Sequence, residues 1–340
     1  MSRKNRRTSG EVARDYCRKY ADIPDLTLGR ILHKDEPVLF PTVDGARCAV
    51  RYARAKKKNG WGSKTPDPVP SKAPTTRAAF AYRAPASHAE PLTDVVIHGA
   101  QRILRLSDIH YPFHDERALA AAIEYGMKHD PTVVLLDGDV IDCHDLSDYD
   151  RDPRHRYTED ELRTIGAELD QFRRAFPKAR ILWKSGNHED RLKRYLMRRA
   201  PDLYGLPGMD VPGLVAMTCG AGALERVEWV ERKRVIRCGH LAFLHGHEFG
   251  GGGGGVNPAR WLFLRAGENA ICGHFHRTSE HSEPSLSREQ RGAWSTGCLC
   301  DMSPDYMPHN KWNHGFAWVE VEQAGTFRVK NIRIIDGKIR

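Results

Sequence analysis

Apolar positions beyond residue 98 fall into two kinds of run. Short, nearly continuous stretches (RILRLSD, TVVLLDGD, ARILWKS) alternate with longer ones in which apolar residues return every three or four positions: ERALAAAIEYGMKH, TEDELRTIGAELDQFRRAF and EDRLKRYLMRRA. The first kind suits strands buried on both faces; the second suits helices that cover one face of a sheet. Later segments (LAFLHGH, NAICGHFH, RGAWSTGCL, FAWVEVEQAGTFRVKNIRII) are richer in strand and predict a second sheet. The pattern predicts an α/β core, a β-sandwich with helices on its outer faces.

The first 58 residues are patterned differently. Thr8 and Glu11 form a possible capping box ahead of VARDYCRKY, a second helical segment (LGRILHK) follows Thr27, and a third (VDGARCAVRYARAKKK) follows Thr42. Three helices in so short a stretch suit a helix-turn-helix-like unit. Residues 59–98 hold Pro at 66, 68, 70, 74, 85 and 91 with little periodicity, and read as an extended linker. The expected organisation is a three-helix domain at 1–58, a linker at 59–98 and an α/β domain at 99–340.

Charge sharpens this division. The formal net charge is +9, and residues 1–60 carry 15 Lys and Arg against 7 Asp and Glu, whereas residues 101–340 carry 34 of each. A localised basic segment points to a polyanionic partner. On the third helix Arg47, Arg51 and Arg54 recur at spacings of four and three, placing three guanidinium groups along one face that is expected to track the phosphates of nucleic acid, DNA in preference to RNA. The eight cysteines form no CxxC pair and no regular framework, so reduced thiols are expected rather than a zinc ribbon or a disulfide scaffold. No apolar run is long enough for a membrane span and the N-terminus is too charged for a signal peptide, so a cytoplasmic protein is expected.

Candidate chemistry sits at the ends of the apolar strands. Asp108 and His110 follow ILRLS; Gly138, Asp139 and Asp142 follow VVLLD; Asn187 and His188 follow ILWKS; His245 follows LAFL; His274 and His276 follow NAIC. Strand ends in α/β sheets share a rim, so these clusters can converge. Oxygen and nitrogen donors without thiolate suit two first-row divalent ions, manganese first, with iron, zinc or nickel as alternatives. Two such charges repel, and Asp139 is the candidate bridge between them. Gly138, Gly186, Gly246 and Gly273 flank the donors and allow sharp turns.

In order, DIH, GDVID, GNHE, HG and GHFH resemble the motifs of the calcineurin-like metallophosphoesterases, over roughly residues 99–340. The resemblance implies a four-layer α-β-β-α sandwich in which Asp108, His110 and His276 hold one ion, Asn187, His245 and His274 the other, and Asp139 both. It implies that His188 lies over the scissile bond with Asp142 as its orienter, and that a metal-bridging hydroxide attacks phosphorus. Arg191 matches the spacing of a phosphate-contacting Arg in the phosphoprotein phosphatases of this family. The second Arg expected after GDxxD is Cys143 here, which argues against protein phosphatase activity. The whole arrangement also resembles phosphoesterases encoded by bacteriophages or prophages.

Several readings stay open at this point. His247 is an alternative ligand to His245, and His114 and His144 are surface residues or substrate contacts. The glycine run at 250–255 is a mobile loop or a lid but lacks the Lys-Ser/Thr ending of a P-loop, and Trp294, Trp312 and Trp318 pack in the core or stack bases. The expected function is a dinuclear phosphodiesterase or nuclease acting on DNA. Alternatives are a small-molecule phosphatase or phosphodiesterase, and a nucleic-acid-binding protein with a structural metal domain.

Overall fold

A computed structural model describes residues 7–59, 83–89, 91–150, 154, 156–250 and 254–340. Most of the expected linker, and positions 251–253 of the glycine run, lie outside the described residues. The chain divides into two compact units, Met1–His88 and Ala89–Arg340.

The first unit holds α1 (Ser9–Lys19), α2 (Asp25–Asp35) and α3 (Val43–Asn59). The capping box forms as expected: the Thr8 amide donates to Glu11 Oε2 at 2.8 Å, and the Thr8 hydroxyl accepts from the Glu11 amide. Thr42 caps α3 by accepting from the Gly45 amide at 3.1 Å. The expectation at Thr27 is corrected. Helix α2 starts three residues earlier, with Pro24 at its N-cap, and Thr27 lies inside its first turn. Val12, Leu28, Leu32, Phe40, Ala46 and Val50 close the core of the unit. Gly29 lies against the backbone of Arg47 with no room for a Cβ, so α2 and α3 approach closely where the side chain is missing.

In the second unit the elements run β1 (Val95–Ile97), β2 (Gln101–Leu106), α4 (Glu116–His129), β3 (Val133–Asp137), α5 (Thr158–Ala175), β4 (Arg180–Lys184), α6 (Asp190–Arg199) and α7 (Val211–Cys219). Then come β5 (Val227–Val230), β6 (Ile236–Cys238), β7 (Leu241–Phe243), α8 (Pro258–Ala266), β8 (Ala270–Cys272) and β9 (Ser279–Pro284), followed by β10 (Gln290–Ser295), β11 (His314–Val321), β12 (Phe327–Ile335) and β13 (Lys338–Ile339). One sheet has the order β13-β12-β11-β2-β3-β4-β5 and the other β1-β6-β7-β8-β10-β9. Val95–Ile97, placed by the sequence in the linker, pair in parallel with β6 and belong to the second sheet. Three residues are too few to show a period.

The near-continuous apolar runs are explained by burial on both faces. Ile103, Val133, Leu135 and Leu182 point between the sheets, where they meet Phe243, Ile271 and Val319. Their neighbours Leu104, Val134, Leu136 and Ile181 point outward, into a core shared with Leu119, Ile165, Leu169 and Phe172 of α4 and α5. On the far side, Leu262 of α8 packs with Ala242, Leu244 and Ala270 of the second sheet. The result is the four-layer α-β-β-α sandwich. Because β2, β3 and β4 run parallel, their C-terminal ends share one edge, and β7 and β8, also parallel, end in donor clusters of the other sheet.

Candidate metal centre

The donor clusters of five strand ends converge on one buried site. Asp108, Asp139, His245 and His276 are all at most 5 % exposed. Ligand-type atoms of Asp108, His110 and Asp139 lie within 4.8 Å of one another, as do those of Asp139, His245 and His274. Asp139 is common to both groups. His276 Nε2 lies 3.1 Å from Asp108 Oδ1 and 3.4 Å from His110 Nε2, which adds it to the first group.

Backbone conformation places these side chains. Asp108, His110, Asp139, His274 and His276 all have φ between 51° and 65°, the left-handed region that residues with a Cβ seldom occupy. Five such conformations at three strand ends store strain on the order of 1–3 kcal/mol each, which the surrounding packing must hold. Gly186 shows why a side chain is excluded beside them: a Cβ there would collide with the Asp139 carboxylate and amide. At Gly138, with φ of 85°, it would strike the ring of His245.

Hydrogen bonds fix the remaining freedom. Asp139 Oδ1 accepts from the His188 amide at 2.8 Å, and Asp108 Oδ1 accepts from the His274 amide at 2.9 Å. The His245 ring donates from Nδ1 to the Asp137 carbonyl at 2.9 Å, so Nε2 is the atom turned to the site. Among the candidate ligands, Asn187 Oδ1 is buried without a hydrogen-bond partner, whereas His245 Nε2 faces Asp139 Oδ2 at 3.0 Å. An orphaned buried acceptor costs about 1–3 kcal/mol, and a cation at Asn187 Oδ1 would satisfy it. This donor set of carboxylates, imidazoles and one amide fits divalent first-row ions.

Electrostatics agree with a site built for positive charge. Burial alone would depress His245 and His276, but for His245 the charges of Asp139 and then Asp108 outweigh it, and for His276 that of Asp108 does; both are pushed up to about 10. Burial would raise Asp139, yet His245 and His188 hold it well below the usual carboxylate range. The carboxylates therefore take protonated imidazoles as their counter-charge.

His188, Asp142 and Arg191 form a second cluster against the first. His188 Nδ1 donates to the Asp142 carbonyl at 2.9 Å and lies 2.9 Å from its Oδ1, which also faces His110 Nδ1 at 2.9 Å. Arg191 donates from Nη1 to the Asp142 carbonyl at 2.9 Å and from Nη2 to His188 Nε2 at 3.1 Å. Burial lowers His188, but Asp139 and Asp142 outweigh it and raise the imidazole above its ordinary value.

Residues that sequence reasoning left without a role support this frame. The Glu189 carboxylate accepts from the amides of Asp139, Val140 and Gly186 at 3.0, 2.8 and 2.7 Å, clamping the two motif turns together. Its place inside GNHE was the only signal. Lys184, with no exposed surface, donates to the carbonyls of Arg232 and Arg234 and pairs with Glu248 at 3.0 Å, and Glu248 in turn accepts from the His245 and Gly246 amides. A Lys closing the apolar run ILWK was a visible anomaly. Cys300 lies 3.8 Å from His276 Nδ1, a thiol beside a site read as free of sulfur.

Other candidates are placed as follows. His247 is buried beside His245, its rings 5.2 Å apart, and is pushed down to about 3 by burial and by the His245 charge. His144 lies 3.6 Å from Asp142 Oδ2, and His114 packs on Tyr111. Trp318 is core, Trp294 packs against the inter-sheet core, and Trp312 meets His276 edge-on at 4.2 Å. The α3 arginines do not form one free face. Arg54 donates to Asp25 Oδ1 and to the carbonyls of Tyr20, Ala21 and Ile23, so it closes the α1–α2 turn. Arg51 is 61 % exposed and lies 3.8 Å from Asp25, and Arg47 lies 3.9 Å from Asp44.

Residues 101–278 match the family model described as calcineurin-like phosphoesterase. Among solved structures, the chain is similar to Vacuolar Protein Sorting 29 from Cryptosporidium parvum, at 12 % identity and TM-score 0.39, covering 71 % of this chain and 95 % of that one. It is also similar to the phosphoesterase YfcE from E. coli (12 %, TM-score 0.31, 68 % and 98 %) and to a dimetal phosphatase from Danio rerio (14 %, TM-score 0.33, 65 % and 93 %). No curated protein sequence matches the chain. Among the described residues no helix is long and apolar enough to cross a membrane.

Proposed function

Because the chain belongs to the calcineurin-like phosphoesterase family and is a metal-dependent phosphoric ester hydrolase, we propose that it cleaves phosphodiesters of nucleic acid, DNA before RNA. In this reading Asp108, His110 and His276 hold one divalent ion, Asn187, His245 and His274 hold a second, and Asp139 serves both, with manganese the preferred ion. Such ions, when bound, supply an activated water and neutralise charge on the phosphoryl oxygens. Two groups of ligand-type atoms that share Asp139 are the observation that carries the metal assignment.

The chain's own residues do the rest. Asp142 fixes the His188 ring through Nδ1, which leaves Nε2 as the atom that carries a proton to the leaving oxygen. Arg191 donates to that nitrogen, and a bound phosphate that draws the guanidinium to itself frees it.

Charge supports a polyanionic substrate. Helix α6 opens two residues after His188 and carries Arg191, Lys193, Arg194, Arg198 and Arg199 against a single acid, Asp190. The first 60 residues add their own excess of Lys and Arg, and a basic unit joined to the catalytic one raises the local concentration of whatever polyanion it holds. We assign that unit to residues 1–58, with nucleic-acid contact through Arg47 and Arg51, and omit Arg54. The test offers manganese-loaded full-length protein a phosphomonoester, a phosphodiester and DNA strands in parallel. DNA cleavage lost in Asp139→Asn supports the reading; good turnover of small esters with intact DNA contradicts the substrate assignment and favours a small-molecule phosphoesterase.

A further inference from the structure

Beside the candidate metal centre, a loop at residues 301–313 carries two aromatic rings in succession from His276. Trp312 touches the His276 ring at a centroid distance of 4.2 Å, and Tyr306 follows at 6.3 Å from Trp312. The loop is braced from within. Asn310 donates to the carbonyls of Met302 and Met307 at 2.7 and 2.9 Å and accepts from the Trp312 amide at 3.0 Å. Its ends are tied to the site: the Asp301 amide donates to the Phe113 carbonyl, and the Asn313 amide donates to the His276 carbonyl.

Despite this bracing the outer ring is left to solvent. Tyr306 is 70 % exposed, and its neighbours Met302 and Met307 are 37 % and 44 % exposed. A large aromatic that faces water beside the candidate phosphate site adds little to the core. It offers a flat apolar face to a ligand that arrives with the phosphate.

We propose that Trp312 and Tyr306 form a stacking shelf for the base of a nucleotide whose phosphate occupies the metal centre. The proposal rests on the phosphoesterase reading above and adds the group recognised beside the phosphate. The spacing favours a nucleoside over a simple aryl ester. Tyr306 stands two ring-to-ring steps from the His276 ring, and a sugar carries a base away from phosphorus, whereas an aryl ring attached directly to phosphate stays beside it. Stacking on aromatic side chains tolerates any base, since each has a π face.

The test compares phosphate monoesters that differ in whether they carry a sugar, a base or an aryl ring. Manganese-loaded full-length protein hydrolyses a chromogenic phosphodiester while AMP, ribose 5-phosphate or phenyl phosphate competes. AMP is expected to inhibit about tenfold more tightly than ribose 5-phosphate. That ratio falls to near one in Tyr306→Ala and is retained in Tyr306→Phe, which keeps the ring. Equal inhibition by AMP and ribose 5-phosphate in the wild type, or a ratio unchanged in Tyr306→Ala, overturns the shelf and leaves the hydrolase reading intact. Phenyl phosphate inhibiting as tightly as AMP overturns the nucleoside assignment in favour of aryl phosphates. Absence of chromogenic turnover, with no inhibitor present, overturns the phosphodiesterase reading and the shelf with it.

Discussion

The rim of the sandwich and the face of α3 are written alike in the sequence, as charged or polar side chains recurring on well-formed elements. They differ in where those side chains end. Arg54 finds a carboxylate and three carbonyls inside its own unit, so its charge is spent on holding the α1–α2 turn. At the rim, Asn187 Oδ1 is buried with no donor to answer it, and two groups of ligand-type atoms converge on Asp139. Five neighbouring donors keep a left-handed backbone that packing must enforce. A polar group answered within the fold reports stability, and one left unanswered among converging donors points to a ligand.

Breaking the rim should have the largest effect. Asp139→Asn removes the carboxylate shared by both donor groups, and phosphodiester turnover is expected to fall by more than about 10³-fold in steady-state assays. Glu189→Gln removes no ligand side chain but leaves one oxygen where two had gathered the Asp139, Val140 and Gly186 amides. Metal affinity or activity is expected to drop about 10–100-fold, measured by metal titration alongside turnover.

At α3 the same exercise moves stability. Arg54→Ala leaves Asp25 and three carbonyls without their donor. It should destabilise the first unit by about 2–3 kcal/mol, seen as faster hydrogen exchange in α1–α3 of the full chain with turnover of small esters unchanged. Arg51→Ala, at a side chain 61 % exposed, should leave exchange within about 0.5 kcal/mol of wild type. If Arg51 contacts phosphate, the salt slope of DNA binding falls by about one. Equal effects of the two substitutions on both readouts would erase the distinction drawn between them.

A pH prediction sharpens the account of the rim. In the metal-free protein His245 and His276 hold their protons up to about 10, well above the ordinary imidazole value. These raised values stabilise the metal-free fold fully below about pH 6.5, and that contribution is lost as pH rises through 10. A cation must displace both protons. Calorimetry at pH 7 in buffers of different ionisation enthalpy should therefore show about two protons released per chain, with affinity rising as pH rises. Uptake without proton release would contradict the ion pairing described for the metal-free site.

Much of the site was legible because each cluster is local: an apolar strand, a tight turn with glycine, then donors. Asp108, His110, Asp139, Asn187, His245, His274 and His276 could be read that way, and so could the four layers, since buried strands and amphipathic helices each carry their own period. What escaped depends on contacts between remote segments. Glu189 acts on amides about fifty positions earlier, and Arg54 answers carbonyls about thirty positions earlier. Neither relation leaves a mark on spacing. The short strand at Val95–Ile97 escaped for a simpler reason, because its neighbours in the sheet define it and its three residues do not.

The claim beneath all of this is that the convergent rim holds two ions. Elemental analysis of full-length protein dialysed against manganese tests it directly, with Asn187→Ala beside the wild type and circular dichroism to show that both are folded. The account predicts two ions per chain in the wild type and about one in Asn187→Ala. A folded wild-type protein that retains no ion, or an Asn187→Ala protein that retains both as tightly as wild type, would contradict it.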